Sequence, residues 1–487
     1  MRTKQQYIEG LRKMRRNLYM NGEKISRTDE RQIACINTIG MTFDAAEKPE
    51  NADLMTAKSH LTGETINRFT HIHQGTHDLH KKQDMTRFLC RQVGGCIQRC
   101  MGIDATNATY AVSYEADKLN NGSTEYHKNF VKWLERFQRE DLVGCCAQTD
   151  VKGDRIKRPA EQADPDLYTR VVERKSDGIV VRGCKLHISE ASVADEVLVV
   201  PTRSLRPEDK DYAVAFAIPG DWEGLKQVVT IHNYRNRDHF PRGFMPGATD
   251  SYMIFDNMFV PWERVFLCGE YQHGGALALL FALFHRHSYS GCKPAIGDIL
   301  LGTAALAAEY NGIHKTSHVR DKLAEVIKVT ELGYAAGYTA SALGKPEIYM
   351  PGVGFMPYGP GNYIPNSIYC NVGRCLTGEA VFHEAELLTD ISGGVPATFP
   401  YEGDFVNPET KDLLNKYLMR NPDISPENQA QFWRYVGDLL CSATGGINSI
   451  GSYHGGGSPI MENIAITTQY DIEERKRMVK HLAGIKD

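Results

Sequence analysis

Three short β-branched runs, Gly178-Ile-Val-Val-Arg182, Glu196-Val-Leu-Val-Val200 and Tyr212-Ala-Val-Ala-Phe216, lie in the middle of the chain. Pro, Asp and Gly residues separate these runs, which is typical of strands joined by tight turns. This texture occupies residues 143–274 and predicts a compact middle β domain.

The segments on either side are helical in pattern. Residues 1–142 carry apolar positions at helical spacing and predict an N-terminal helical domain, and residues 275–487 return to long helical patterns that predict a C-terminal helical bundle. Helices before and after a β unit indicate an α+β fold with the β domain between two helical layers. Flat cofactors commonly bind in the crevices between such units.

Composition excludes several classes of protein. The 487 residues include 56 Lys and Arg against 60 Asp and Glu, a formal charge of −4, which predicts no binding to nucleic acid or to an anionic membrane. No apolar run approaches the roughly 20 residues of a membrane span, and the start lacks a signal-peptide core. We therefore expect a cytoplasmic protein whose 12 cysteines are thiols or metal ligands.

Two of those cysteines are spaced by four residues in Cys96-Ile-Gln-Arg-Cys100. If the segment is helical, one turn places both sulfurs on the same face about 6 Å apart, as two corners of an iron–sulfur cluster require. The alternative is a pair of buried thiols that pack as small hydrophobic side chains.

A second reactive group lies in Phe284-His-Arg-His-Ser-Tyr-Ser-Gly-Cys-Lys293. His285 and Cys292 are two helical turns apart, about 10.5 Å, so both reach one metal centre more easily if the helix breaks near Gly291. His287 is the alternative ligand. Tyr289 and Lys293 are candidates for a proton donor and an electrostatic clamp, or for packing and surface charge.

These ligands do not decide between two kinds of metal centre. Three cysteines and one histidine suit a cluster with one nitrogen-ligated iron, whose weaker ligand leaves that iron able to accept a substrate oxygen. Zinc takes the same ligands in a tetrahedral site.

A glycine turn, His454-Gly-Gly-Gly-Ser-Pro459, is the third feature. Consecutive glycines expose backbone N–H groups and permit close approach to a pyrophosphate or a flavin edge, although a bare turn between helices is equally compatible. No dinucleotide-binding fingerprint follows a strand, so a flavin would be held by another kind of fold.

Several landmarks taken together resemble the 4-hydroxybutyryl-CoA dehydratase family, a branch of the 4-hydroxyphenylacetate 3-hydroxylase superfamily with an acyl-CoA dehydrogenase-like fold. They are Tyr7-Ile-Glu-Gly-Leu-Arg12, Tyr19-Met-Asn-Gly-Glu23, Arg99-Cys-Met-Gly-Ile-Asp-Ala-Thr-Asn-Ala108, residues 255–266, Pro365-Asn-Ser-Ile-Tyr-Cys-Asn-Val-Gly373, Asp390-Ile-Ser-Gly-Gly-Val-Pro396 and the glycine turn. The more specific features are the Cys-x3-Cys pair and the later His-x6-Cys pair.

The resemblance implies a [4Fe-4S] cluster held by Cys96, Cys100, His285 and Cys292, with Tyr289 and Lys293 as active-site residues beside it. It also implies FAD, contacted by His187 and Ser189 of the β domain and by the glycine turn, which comprises Gly455, Gly456, Gly457 and Ser458. A homotetramer is implied as well.

Two departures from the family pattern concern the substrate site. This chain has His187-Ile-Ser-Glu190 where relatives often have His-x-Thr-Gly, and residues 445–453 contain no acid where the family places a catalytic carboxylate. Asp250 is a candidate for another family carboxylate.

The implied activity is the FAD- and cluster-dependent radical dehydration of a 4-hydroxyacyl-CoA, with 4-hydroxybutyryl-CoA to crotonyl-CoA as the leading reaction and vinylacetyl-CoA isomerisation beside it. The C3 proton of such a substrate is unactivated, so acid–base catalysis alone cannot remove it. We expect His285 to take the C2 proton by family analogy, with His287 and Glu190 as alternatives. The competing functions are a two-component flavin-dependent aromatic monooxygenase and a non-catalytic redox sensor.

Overall fold

The computed structural model describes residues 1–234, 237–350, 354–418 and 420–485. Its helices are α1 Lys4–Lys13, α2 Ile33–Ala46, α3 Ala52–Met55, α4 Thr76–Val93, α5 Cys100–Leu119, α6 Tyr126–Arg139, α7 Tyr271–Tyr310, α8 Ser317–Ala342, α9 Ser367–Ser392, α10 Val395–Thr398, α11 Lys411–Tyr417, α12 Pro426–Cys441, α13 Ala443–His454, α14 Pro459–Gln469 and α15 Ile472–Leu482. Its strands are β1 Leu18–Met20, β2 Glu23–Ile25, β3 Thr56–Lys58, β4 Thr65–Asn67, β5 Gly144–Ala147, β6 Arg170–Arg174, β7 Gly178–Ser189, β8 Glu196–Val199, β9 Val214–Pro219, β10 Leu225–Asn233, β11 Gly247–Pro261, β12 Val265–Cys268, β13 Tyr349–Met350 and β14 Gly354–Phe355.

The middle of the chain folds into two sheets. One has the strand order β2-β1-β10-β11-β7-β6 and the other the order β12-β9-β8-β5. The three β-branched runs fall in β7, β8 and β9, as predicted. Neighbouring strands are antiparallel except for β1 with β10 and β5 with β8. The α+β fold is therefore confirmed.

Two strands of the larger sheet come from a region predicted to be helical. β1 and β2 precede residue 142, yet Leu18 and Ile25 are buried against Val229 of β10. Burial of these side chains adds the strands to the sheet, so the N-terminal segment extends into the β unit. The boundaries at residues 142 and 274 stay a prediction.

Helix α7 is longer than its sequence pattern indicated. The apolar periodicity predicts separate helices over residues 274–286 and 296–310, whereas residues 271–310 form one helix that contains Pro294 and has no break at Gly291. This part of the prediction was wrong because α7 packs against α4, α5, α8 and α9 together, and tertiary packing outweighs the local cost of a proline. Among the described residues, no helix is long and apolar enough to cross a membrane.

Candidate active site with a cysteine and histidine cluster

The segment that carries Cys96 and Cys100 is a turn followed by a helix start. Helix α4 ends at Val93, Gly94 adopts φ +73° as its C-cap, and α5 begins at Cys100. The expectation that both cysteines lie on one helical face was wrong, because the left-handed Gly94 ends the helix before Cys96 is reached. Cys96 therefore approaches the site from a turn and Cys100 from the first residue of a helix.

The second group of predicted residues occupies one side of α7. His285, Tyr289 and Cys292 follow one another at the helical spacing of three or four residues, with Lys293 next to Cys292, and all four are buried. This spacing turns them in one direction without a helix break. A continuous helix therefore fixes their relative positions.

The structure brings the two groups together. The sulfurs of Cys96 and Cys292 are within hydrogen-bonding distance, and Cys292 makes a similar contact with Cys90. One ligand atom each of Cys100, Asp104 and His285 lies within 4.8 Å of the others. The two sets are neighbours, because Cys100 interacts electrostatically with both Cys96 and Cys292. Thiols and imidazoles are the ligands that iron–sulfur clusters and zinc ions use.

His285 is held by a buried carboxylate. Its Nδ1 lies 3.1 Å from Asp104 Oδ2, and the same carboxylate accepts hydrogen bonds from Lys82 Nζ at 2.8 Å and from the Ser288 hydroxyl. Asp104 and Lys82 are both 0% exposed. The negative charge of Asp104 is therefore balanced by Lys82, and its position inside the protein is fixed by these hydrogen bonds.

His287 points elsewhere. Its Nε2 is 2.7 Å from the Ser341 hydroxyl of α8, away from the cysteines, and burial lowers its pKa well below the usual value. The structure therefore gives no support to His287 as the alternative ligand.

Tyr289 stands between two cations. The Lys293 Nζ lies 4.8 Å from the centre of its ring, and the Arg374 guanidinium lies 4.6 Å from it. The Tyr289 hydroxyl donates to the Gly451 carbonyl at 3.3 Å, and Lys293 donates to the Ser452 hydroxyl at 2.8 Å. Burial raises the pKa of Tyr289 well above its usual value, and burial lowers that of Lys293.

The glycine turn packs against these same side chains. A Cβ at Gly455 would overlap the Tyr289 hydroxyl, and one at Gly456 would lie 2.7 Å from Arg374 Nε. The N–H groups of Gly455 and Gly457 donate to carbonyls within residues 451–454, so the expected row of free donors is not formed. The glycines are needed for close packing here, and their contact with FAD, like that of Ser458, stays a prediction.

The predicted flavin residues of the β domain lie at the end of β7. His187 is exposed with φ +49°, and the Ser189 hydroxyl donates to Asp250 Oδ1 at 2.6 Å. Asp250 also lies 3.2 Å from His232 Nε2. Glu190 follows in a left-handed conformation with φ +70°, and burial raises its pKa well above the usual value.

Sequence reasoning missed several members of the site: Lys82, Cys90, Asp104, Ser288, Arg374 and Glu462. Asp104 had a usable signal, because it lies one turn after Cys100 on α5. Glu462 is fully buried, with its Oε1 3.7 Å from Arg374 Nε. No feature of the sequence pointed to it.

Comparison with known proteins places the whole chain in one family. Residues 3–267 match the family model described as the 4-hydroxyphenylacetate 3-hydroxylase N terminal, and residues 275–484 match the C terminal of the same enzyme. The chain is 39% identical over 502 residues to a protein named 4-hydroxybutyryl-CoA dehydratase/vinylacetyl-CoA-Delta-isomerase from Clostridium aminobutyricum, covering 99% of each. It is 27% identical to the oxygenase component of a 4-hydroxyphenylacetate 3-monooxygenase from Thermus thermophilus, covering 98% of this chain and 96% of the relative.

Solved structures agree. An oxygen-tolerant archaeal 4-hydroxybutyryl-CoA dehydratase from N. maritimus matches with a TM-score of 0.90 and 33% identity, covering 100% of this chain and 95% of the other. An oxygenase component of 4-hydroxyphenylacetate 3-monooxygenase, solved with FAD, matches with a TM-score of 0.85 and 25% identity, covering 99% and 98%.

Proposed function

Because the chain belongs to the 4-hydroxybutyryl-CoA dehydratase/vinylacetyl-CoA isomerase family and is a hydro-lyase of that family, we propose that it dehydrates 4-hydroxybutyryl-CoA to crotonyl-CoA with FAD and a [4Fe-4S] cluster. Isomerisation of vinylacetyl-CoA is proposed as its second activity. The observation that carries this proposal is the convergence of Cys96, Cys100, Cys292 and His285 from two distant parts of the chain.

The proposed ligands come from two packed helices and a turn. His285 and Cys292 belong to the buried helix α7, and Cys100 begins α5, which packs against α7. Cys96 lies in the turn before α5 and is exposed. With three ligands on packed helices, Cys96 on the turn is the ligand that can adjust its position when the cluster binds.

FAD supplies one-electron chemistry when bound, and a nitrogen-ligated iron supplies a Lewis acid. The chain itself must bind the thioester, exclude water and move protons. The departing 4-hydroxyl needs a proton, and the Tyr289 phenol, protonated and flanked by Lys293, is placed to donate one. Lys293 and Arg374 stabilise the negative charge that this transfer leaves on the phenol oxygen.

We also propose that the working form is a homotetramer. None of the residues of α15 is buried, and its apolar side chains include Leu482, which is 75% exposed. Helix α14 likewise exposes Ile460 and Ile464. Contiguous apolar faces of this kind mark protein–protein contacts, and a second copy of the chain is the partner that the family implies.

Anaerobic purification followed by measurement of iron, sulfide and FAD tests the proposal, with 4-hydroxybutyryl-CoA assayed in the absence of air. We expect about four irons per chain in the wild type, from the proposed cluster, and loss of iron and activity in Cys100→Ala. Cys146→Ala is the matched control, since this thiol is equally buried but lies in β5.

The competing functions give different results. A yellow protein without iron that consumes oxygen with a flavin reductase would establish a monooxygenase, the function named for relatives at 26% and 27% identity. A protein that binds cluster and FAD but converts no acyl-CoA would be a redox sensor. Full dehydration activity in an iron-free wild type would remove the [4Fe-4S] cluster from the proposal, and an iron-free wild type that converts no 4-hydroxybutyryl-CoA would remove the dehydratase activity as well.

A further inference from the structure

We propose that Asp104 is a positioning residue that fixes His285 as a metal ligand, with the proton held on Nδ1 and Nε2 left to bind the metal. This inference rests on the proposed function, because it concerns the group that His285 would bind. It goes further by assigning His285 to metal binding and leaving proton abstraction from the substrate to another group.

The contact that carries the inference is the one between His285 Nδ1 and Asp104 Oδ2, at 3.1 Å. A carboxylate accepts hydrogen bonds and does not donate them, so Nδ1 carries the proton. With the proton on Nδ1, the nitrogen that can offer a lone pair to a metal is Nε2. The ring is also held on both sides, stacked on Phe281 at 5.7 Å and edge-on to Tyr289 at 4.8 Å.

The orientation of Asp104 is itself determined by its neighbours. Oδ1 receives Lys82 at 2.8 Å and Ser288 at 3.0 Å, while Oδ2 receives Ser288 at 2.9 Å and His285 at 3.1 Å. Ser288 has one hydroxyl proton, which the two oxygens share, so three donors engage three of the roughly four lone-pair sites of the carboxylate. Asp104 lies within 4.8 Å of Cys100 and His285, and most of its hydrogen-bonding capacity is taken up by these donors.

Lys82 completes the arrangement. Its ammonium group is fully buried and also donates to the Phe284 carbonyl at 2.9 Å, one residue before His285. The ion pair thus ties α4 and α5 to the backbone of α7 at the proposed ligand. Burying the Asp104 carboxylate without this cation would cost free energy of folding, so Lys82 allows a charged acceptor to stand next to the His285 ring.

The test uses two variants with matched controls on the anaerobically purified holoenzyme. Asp104→Asn removes the charged acceptor, and Ser288→Ala frees the carboxylate to rotate. The β domain offers an equivalent trio of Asp150, Lys185 and Thr202, in which the buried Asp150 pairs with Lys185 at 2.9 Å. Asp150→Asn and Thr202→Ala are the controls.

Two measurements report on the ligand independently of activity. One is the rate at which iron is lost to a chelator, and the other is the nitrogen coupling in the electron paramagnetic resonance spectrum of reduced enzyme with ¹⁵N-labelled histidine. We expect Asp104→Asn to lose iron about 10- to 100-fold faster, the usual effect of removing a partner behind a ligand. Ser288→Ala should lose it about threefold faster or more, and the coupling should weaken in both variants but in neither control.

The outcomes distinguish the positioning role of Asp104 from the proposed function. If Asp104→Asn does not fold, the positioning role is tested by comparing the iron loss of Ser288→Ala with that of Thr202→Ala. Iron loss and nitrogen coupling at wild-type values in the site variants would overturn the inference while leaving the proposed function intact. A wild type that holds no iron would overturn both.

Discussion

Replacing Gly455 by Ala tests whether the position of the Tyr289 hydroxyl matters for the reaction. The added Cβ would overlap that hydroxyl, well inside the 3.0 Å that Cβ contacts respect. Ordinary contact begins at 3.4 Å, so the phenol must retreat. Its ring is flanked by Lys293, Arg374 and His285, each within 5 Å of the ring centre, so it cannot turn freely.

The expected effect is on rate more than on folding. A displacement of about 1 Å at a reacting group lowers the rate about 100-fold, which corresponds to roughly 2.7 kcal/mol in the barrier. We therefore expect kcat for dehydration of 4-hydroxybutyryl-CoA to fall by about two orders of magnitude. Iron content should stay at the wild-type value, since the added Cβ meets the Tyr289 hydroxyl and the Gly451 carbonyl oxygen, at 2.6 Å, and none of the proposed cluster ligands. FAD content is measured beside it, because Gly455 is also a predicted flavin contact.

Gly446→Ala is the matched control. Gly446 lies in α13, the helix that Gly455 caps, and nothing is within 4 Å of the position that its Cβ would occupy. This variant should keep the wild-type rate. If Gly455→Ala kept more than half of the wild-type kcat with an unchanged melting temperature, the placement of Tyr289 against the glycine turn would have no part in the chemistry.

Three further predictions concern stability and assembly. Burial raises the pKa of Glu190, so the folded state keeps a proton at pH values where the unfolded state has released it. The free energy of unfolding therefore falls as pH rises, by up to about 1.4 kcal/mol per pH unit. Glu190→Gln removes this loss and should raise the melting temperature more at pH 8 than at pH 5.5. Gly102→Ala would bring its Cβ to 2.9 Å from a backbone carbonyl carbon of β5 and should cost about 1–3 kcal/mol in chemical unfolding, whereas Gly302→Ala, with open space around it, should not. Glu substituted for both Met478 and Leu482, which are 49% and 75% exposed, should lower the mass measured by light scattering without lowering the melting temperature of the chain; an unchanged mass would exclude α15 from the interface.

Strand and helix content was predictable because it follows from local patterns. The β-branched runs produced β7, β8 and β9 where expected, since turn residues delimit them. The break before Cys100 was missed although Gly94 and Gly95 precede it, because two glycines inside an apolar helical pattern are also compatible with a continuous helix. Local pattern therefore fixes element type more reliably than element ends.

The buried charges could not be predicted from sequence. Lys81 and Lys82 are adjacent and chemically identical, yet Lys81 pairs with Asp53 at the surface and Lys82 is buried against Asp104. The two lysines differ only in which side of α4 they occupy, and tertiary packing determines which side of α4 is turned toward α7. A lysine at either position reads as a solvated charge.

Proteins named for two different reactions share the scaffold of this chain. Relatives named as monooxygenases cover nearly the whole chain at 25% to 27% identity, so the fold alone does not determine the reaction. In this chain, the groups proposed for the reaction lie on one side of α7 and on the turn before α5. A thiol at Cys292 or an imidazole at His285 would bind metal only if its partners were already aligned. Under our proposal, the buried ion pair of Asp104 and Lys82 supplies that alignment for His285. Both charges are fully buried, so a carboxylate at the surface of the same scaffold could not hold the ring in this way.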